Sequence, residues 1–299
     1  MESGDDMRAF VIGNVALDEA VTVADLPAFG ASIHGHAGQI DLGGKGANQA
    51  IMLGRSGLPC RFCAAVGEDS RADDIRTRLA TEPLETDLVR IAGVASDFSI
   101  ILRTPSGDNA IITTNAAASG LTPEAACATL AGAKPGDLLV LQGNLTAETT
   151  AAALRQARRT GMQTALNPSP LRPFFGDLWP LVDIAFLNES EAAALGGTAA
   201  LLAAGVPQVV LTLGSKGARL VTMTGDAFVP AQLCEVVDTT GAGDCFMANA
   251  LASAALRRVA LDPRALRHAA AAAAITVSRP GTGAAFPTKV ELAEILQQP

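Results

Sequence analysis

Residues 138–166 read LLVLQGNLTAETTAAALRQARRTGMQTAL. Leu138 to Leu141 is a short continuous apolar run, Ala147 to Arg159 carries the Ala- and Leu-rich spacing of a helix, and Gln163 to Leu166 is a second short run. A strand, a covering helix and a strand in that order predict a parallel pair. The alternation extends in both directions, with strands expected at Arg8 to Ile12, Phe62 to Val66, Ile184 to Leu187 and Gln208 to Leu213. Helices are expected at Ala47 to Arg55, Ser70 to Ala80, Pro123 to Leu130 and Glu189 to Leu195. The chain therefore reads as α/β, a parallel sheet with covering helices. Two segments break the rhythm: 19–41, and 98–114, where SIILRT, the turn PSGDN and AIITT spell a hairpin. Strands without intervening helices suggest a small separate sheet, a lid or a dimer surface, inserted into a single domain spanning 1–299.

The chain has 299 residues, with 22 Lys+Arg against 30 Asp+Glu and a formal charge of −8. No basic face is available to displace the counterions of a nucleic acid, which excludes that class of partner. Hydrophobic residues make up 49% and charged residues 17%, so a large interior is expected and disorder is not. The longest apolar stretches, such as Ala269 to Val277, are too short for a bilayer, and MESGDDMRAF lacks the basic and apolar segments of a secretory signal. A cytoplasmic protein is expected. Five cysteines include one CxxC, Cys60 and Cys63, and Cys63 in RFCAAVG reads as a buried strand residue with an inert thiol.

Two glycine-rich stretches carry chemistry. Gly43-Gly44-Lys45-Gly46-Ala47-Asn48-Gln49-Ala50 leads into a helical run, so its glycines allow close backbone approach to a ligand and the helix start offers free NH groups. It is not a Walker A loop, because Lys45 is followed by Gly46 rather than a hydroxyl residue, and the first strand leads to a single glycine, Gly13, rather than GxGxxG. Asp238-Thr239-Thr240-Gly241-Ala242-Gly243-Asp244-Cys245-Phe246 opens a long apolar helical pattern reaching Arg257 and Arg258. Small residues at 241–243 expose successive amides at the positive end of a helix, an anion hole suited to a phosphoryl group in transfer. Asp244 is either a first-turn acid favoured by the helix dipole or the base that takes a proton from an attacking hydroxyl.

These two stretches resemble the signatures of the ribokinase-like sugar kinases, the PfkB family. Between them stand Leu166-Asn167-Pro168-Ser169-Pro170, Leu187-Asn188-Glu189-Ser190-Glu191 and Thr212-Leu213-Gly214-Ser215-Lys216-Gly217, in the order and approximate spacing of that family. The resemblance covers nearly the whole chain and implies a central, mostly parallel α/β sheet with helices on both faces and a small β lid over a sugar. It implies ATP and magnesium as cofactors. Asp244 matches the catalytic base, with the amides of Gly241, Ala242 and Gly243 steadying the phosphoryl group. Asn188 and Glu191 match an NxxE motif whose carboxylate organises waters around the magnesium ion; a capping box reads the same residues and both roles can coexist. Thr212, Gly214, Ser215 and Gly217 match the nucleotide-binding turn. His268 matches a position beside adenine, although a lone histidine on an alanine-rich helix is equally read as packed.

On the sugar side, Asp18, Gly44, Lys45 and Asn48 match hydroxyl-binding positions. The chain departs from ribokinase itself at Ala16, where an asparagine is usual, and at Asn144, where a glutamate is usual. Each change alters a hydrogen-bonding group, which puts ribose in doubt and leaves another sugar, a sugar derivative or a nucleoside. The resemblance also implies a monovalent cation, potassium, between Asp238 and the Thr240 carbonyl on one side and the carbonyl oxygens of the stretch Thr276, Arg279 and Gly281 on the other; Ala285 replaces the serine that usually completes that loop. The expected reaction is transfer of the ATP γ-phosphoryl to an alcohol, primary in the expected substrate, under a closing lid. A nucleoside kinase on the same scaffold is the alternative, ahead of a non-catalytic sensor and a Rossmann dehydrogenase. A homodimer through the lid is a further expectation.

Overall fold

A computed structural model describes residues 7–104 and 109–299. In chain order the first half comprises β1 (Ala9–Ile12), β2 (Ala16–Val23), β3 (Gly35–Gly43), α1 (Lys45–Arg55), β4 (Cys60–Val66), α2 (Ser70–Leu79), β5 (Glu85–Arg90), β6 (Phe98–Arg103), β7 (Asn109–Thr113), α3 (Ala116–Gly120) and α4 (Pro123–Thr129). There follow β8 (Leu138–Gln142), α5 (Ala147–Thr160), β9 (Gln163–Asn167), β10 (Ile184–Asn188), α6 (Glu189–Ala194), α7 (Thr198–Ala203), β11 (Gln208–Thr212), β12 (Gly217–Thr222), β13 (Gly225–Pro230), α8 (Ala242–Arg257), α9 (Pro263–Val277) and α10 (Lys289–Leu296).

The unit that opened the sequence reading folds as expected. β8 pairs in parallel with β9, from Leu138 opposite Gln163 to Gln142 opposite Asn167. The Thr146 side chain caps α5 by accepting from the Thr149 amide, and Gly161 ends it in the left-handed region at φ 79°. Nine strands form the central sheet in the order β13-β12-β11-β10-β9-β8-β1-β4-β5. All its pairings are parallel except β11 with β12 and β12 with β13. Alternate residues of each strand face opposite layers: Ala9 and Val11 pack with α1, α8 and α9, whereas Phe10 and Ile12 pack with α4 and α5.

The strand order places the site. From β1 the sheet grows one way to β4 and β5 and the other way to β8 and beyond, so the loops after β1 and β8 part and leave a crevice at their carboxyl ends. The second sheet, β3-β2-β6-β7, rises from the same end, since β2 starts four residues after β1 finishes. It contains the two segments that break the alternation, beginning at Ala16 rather than Glu19 because pairing with β3 starts there. The turn expected over PSGDN lies, apart from Asn109, outside the described residues. β5, β12 and β13 were not expected as strands. β5 is a charged edge strand, ETDLVR, and β12 and β13 form a half-exposed hairpin, so none carries the continuous apolar run that marks the central strands.

Cys60 and Cys63 sit three apart on β4 and therefore belong to opposite layers of the sheet. Both are buried, and burial pushes each thiol above its ordinary range. Among the described residues no helix is long and apolar enough to cross a membrane.

The last helix is tied down by charge. Thr288 and Glu291 form a capping box at the start of α10, and the Arg279 guanidinium forks onto the Glu291 carboxylate. The hydrogen bond from Arg279 first, then that from the Thr288 amide, hold Glu291 down to about 2 from 4.5. A depressed folded-state value stabilises above the unfolded one and is lost as pH falls through the folded one. Glu291→Gln is expected to lower stability by about 1 kcal/mol at pH 7, solvent screening reducing the full linkage value. Urea unfolding should show that difference shrinking below about pH 4.5 and vanishing near pH 2.

Candidate active site

The amino end of α8 begins at Gly241, whose φ of 75° is left-handed. A Cβ built at Gly241 would stand 2.9 Å from the Phe286 ring, whereas one at Gly243 would meet nothing within 4 Å. Glycine at 241 is thus demanded by backbone and packing together, and Gly243 faces open space. Asp244 follows in the first turn and is buried at 6% exposure. Its Oδ2 accepts from Asn48 Nδ2 at 2.9 Å and its Oδ1 from Gln49 Nε2 at 2.9 Å.

Both donors come from α1. That helix starts at Gly44, φ 91°, where a Cβ would crowd the backbone of Val15 and Ala16 to 2.9–3.0 Å. Asn14, just after β1, locks the same turn: its side-chain oxygen accepts from the Gly46 amide and its carbonyl from that of Ala47. Asp18 on β2 is 8% exposed and lies against Gly43, where any Cβ would overlap its carboxylate. Burial raises the Asp18 pKa above its ordinary value; hydrogen bonds from Ser99 and Thr282 oppose the rise, and the charges of Asp41 and Asp244 add to it. A carboxylate accepts but never donates, so Asn48 must turn its amide nitrogen to Asp244 and its oxygen away. That oxygen and Asn144 Oδ1 are buried acceptors without a hydrogen-bond partner. A buried acceptor without a partner next to Asp244, as Asn48 Oδ1 is, suits a ligand rich in hydroxyl donors.

On the other side of α8 lies a cleft of about 540 Å³. The turn after β11 contributes Thr212, Gly214, Ser215 and Gly217; α8 contributes Ala242 and Gly243. An adjoining cavity of about 240 Å³ takes Lys45, Asn188, Glu191 and Gly241 together with Asp244. Thr212, Thr239 and Gly243 line both, so the large cleft leads past the amino end of α8, where the Ala242 amide donates to the Thr239 carbonyl at 3.3 Å, to the buried carboxylate. Asn188 and Glu191 form the capping box of α6, Asn188 Oδ1 accepting from the Glu191 amide and Glu191 Oε2 from that of Asn188.

The adenine-side reading of His268 gives way to the packed one. His268 is 1% exposed, with Nδ1 against Ser253 Oγ at 2.7 Å and Nε2 against the Gln298 carbonyl at 3.0 Å. Burial, the leading cause, lowers its pKa. It lies on the face of α9 turned to Ser253 of α8 and the Gln298 carbonyl, and the cleft is lined instead by Ala270, Ala273, Ala274 and Val277. These stand two, five, six and nine residues on, which at about 100° per residue is the opposite face of the helix.

At the expected cation site the side chains have protein partners. Asp238 Oδ1 accepts from the Thr240 amide and hydroxyl, and Oδ2 accepts from the Gly281 amide and pairs with the Arg103 guanidinium at 2.7 Å. Its carboxylate is therefore already satisfied by protein donors. Thr276 Oγ1 turns back to the Ala272 carbonyl, Arg279 points to Glu291, and Ala285 is fully buried.

Sequence reading passed over Gln49, Gln142, Asn14 and Arg103. Gln49 and Gln142 stood inside stretches already singled out, but a glutamine has no spacing rule that announces its partner. Arg103 carried only the alternation of β6, whose inward residues Ser99, Ile101 and Arg103 all face the cleft side of the lid.

Residues 8–289 match the pfkB family carbohydrate kinases. The chain is similar to the ribokinase of Haemophilus influenzae, 30% identical over 301 residues covering 96% of this chain and 97% of the relative. It is similar to the ribokinase of Mus musculus, 31% identical over 305 residues covering 94% and 92%. Its fold is similar to the solved ribokinase of Giardia lamblia, with a TM-score of 0.87 at 26% identity and coverage of 98% of this chain and 99% of that one. A buried acid in the first turn of a helix and a cleft leading to it agree with that likeness: the chain belongs to the pfkB family of carbohydrate kinases.

Proposed function

We propose that the chain transfers the terminal phosphoryl group of ATP to a primary hydroxyl of a small sugar or sugar derivative, with Asp244 as the base. The observation that carries this reading is the place of Asp244, buried in the small cavity where the large cleft ends, beside the amides of residues 241–243. A ligand in the cleft would meet Thr212, Gly214, Ser215 and Gly217 and lay its terminal phosphate on those amides, where the positive helix end favours developing charge. The sugar would bond Asp18, Asn48 and Asn144, with Gly44 giving close backbone approach and Lys45 reaching into the small cavity. An exocyclic hydroxyl has the reach to meet a carboxylate only 6% exposed, which favours a primary alcohol over one on the ring. Ala16 is fully buried and brings no side-chain hydrogen bond, so the hydroxyl pattern accepted differs from one read by asparagine there.

Among the described residues no cluster of three or more His, Cys, Asp or Glu stands ready to hold a metal. Glu191 adds one carboxylate to the phosphate end of the site, a donor set that fits a magnesium ion arriving on the nucleotide and keeping its water. When bound, that ion neutralises phosphate charge during transfer. The small sheet closes over the sugar and excludes water. Unpaired cysteines and an ATP-dependent reaction suit a cytoplasmic setting.

A panel of pentoses, hexoses, sugar derivatives and nucleosides, assayed for ADP release with ATP and magnesium, tests the substrate class. Turnover of a sugar is expected, and of nucleosides alone would replace the reading. Asp244→Asn should lower kcat by about 10²- to 10⁴-fold while ATP still raises the melting temperature; a wild-type rate would remove Asp244 from its role.

The family resemblance implies a monovalent cation beside Asp238, but a carboxylate already holding three hydrogen bonds and a guanidinium does not fit one. We read Arg103 as the countercharge. Exchanging potassium for tetramethylammonium should change kcat by less than about twofold, and activation of about tenfold or more would restore the cation.

The lid also supports pairing of two copies. β7 is one of its two edge strands and leaves Ile111 and Ile112 at 52% and 63% exposure. Sedimentation equilibrium should give twice the 30.4 kDa of one chain; a mass of one chain would exclude the dimer.

A further inference from the structure

Three polar side chains from three separate elements form a buried line that ends on the base. Gln142 closes β8, Gln49 lies in α1, and both are fully buried; Asp244 is in the first turn of α8. Gln142 Nε2 donates to Gln49 Oε1 at 2.7 Å, and Gln49 Nε2 donates to Asp244 Oδ1 at 2.9 Å. The chemistry of the end group sets the direction. Ionised Asp244 only accepts, so Gln49 must turn its nitrogen to it; the Gln49 oxygen then faces Gln142, which must donate in turn. Gln142 Oε1 is left over, buried and without a partner. It lies against Gly13, where a Cβ would come within 2.0 Å, so any other residue after β1 would push Gln142 out of line.

An unpaired buried carbonyl costs stability, and an apolar residue at the end of a central strand would avoid that cost. Helix capping does not account for the line, since neither glutamine bonds a helix-end amide. We infer that Gln49 and Gln142 are positioning residues for phosphoryl transfer, fixing the Asp244 carboxylate from the rigid carboxyl edge of the sheet. This rests on the reading of Asp244 as the base. One carboxylate oxygen is held by Asn48, which also faces the sugar, and the other by a donor whose own orientation is set by the sheet. The second oxygen therefore keeps its place when sugar binding draws on Asn48.

The experiment uses the full chain and whichever sugar the panel selects. Gln142→Leu and Gln49→Leu are compared alone, together and in the Asp244→Asn background, with kcat normalised to the folded fraction from thermal melts. Each single variant is expected to lower kcat by about 3- to 30-fold, with KM for sugar and for ATP within about twofold. Because Gln142 acts through Gln49, the double variant should match Gln49→Leu, and Gln142→Leu should leave the residual Asp244→Asn rate unchanged. Multiplying losses in the double variant, a loss persisting in Asp244→Asn, or wild-type kcat in either single variant would overturn the inference. Should Gln49→Leu not fold, Gln142→Met carries the test by the same split of kcat from KM. If Asp244→Asn itself keeps the wild-type rate, it is the base reading that fails, a result separable from failure of the glutamine line alone.

Discussion

Two helices meet on one carboxylate. Asp244 in the first turn of α8 is almost out of water, and a charge there is tolerable only with donors on its oxygens. The donors are neighbours in α1, Asn48 and Gln49, one for each oxygen. This contact fixes how the two helix starts approach, and much else follows. α1 must begin at a left-handed Gly44, and α8 at a left-handed Gly241 pressed on Phe286. The alanines of both helices belong to one core with β1 and β4, so their starting points open on the same crevice.

The crevice itself is a consequence of strand order. Chains leaving β1 and β8 turn opposite ways, so Asn14 on one side and Gln142 to Asn144 on the other stand at the carboxyl ends of the strands that border it. The lid grows out of the first of these loops and brings Asp18 and Ser99 on adjacent strands, paired in register, over the same space. Its inward face also carries Arg103 to Asp238, six residues before the base. Lid, helix start and sheet edge are thereby joined through polar contacts at one end of the molecule, while the opposite layer of α4 and α5 is largely apolar packing.

Much of this was legible from residues alone. The continuous apolar runs of β1, β8, β9 and β10 announced a sheet buried on both faces. The glycine stretches at 43–46 and 241–243 declared themselves because only special backbone needs cluster glycine so densely. Edge strands were missed, since β5 is charged and β13 is half exposed, and a strand that packs on one side only has no apolar run to show. His268 left two readings open, beside adenine or packed, and the structure packs it. An alanine-rich helix offers no amphipathic contrast to tell which face meets the cleft, and a single step along it turns the side chain by about 100°.

What the sequence by itself determined is the set of local necessities: where backbone must go left-handed, where helices begin, which runs are buried, and that an acid follows a bare helix start. Each depends on residues within a turn or two of one another. What only the tertiary structure decided is partnership across the chain. Gln49 reaches Asp244 over 195 positions, Gln142 reaches Gln49 over 93, and Arg103 finds Asp238 from another sheet. Hydrogen bonds and ion pairs act over about 3 Å, and sequence separation carries no record of which groups folding brings that close.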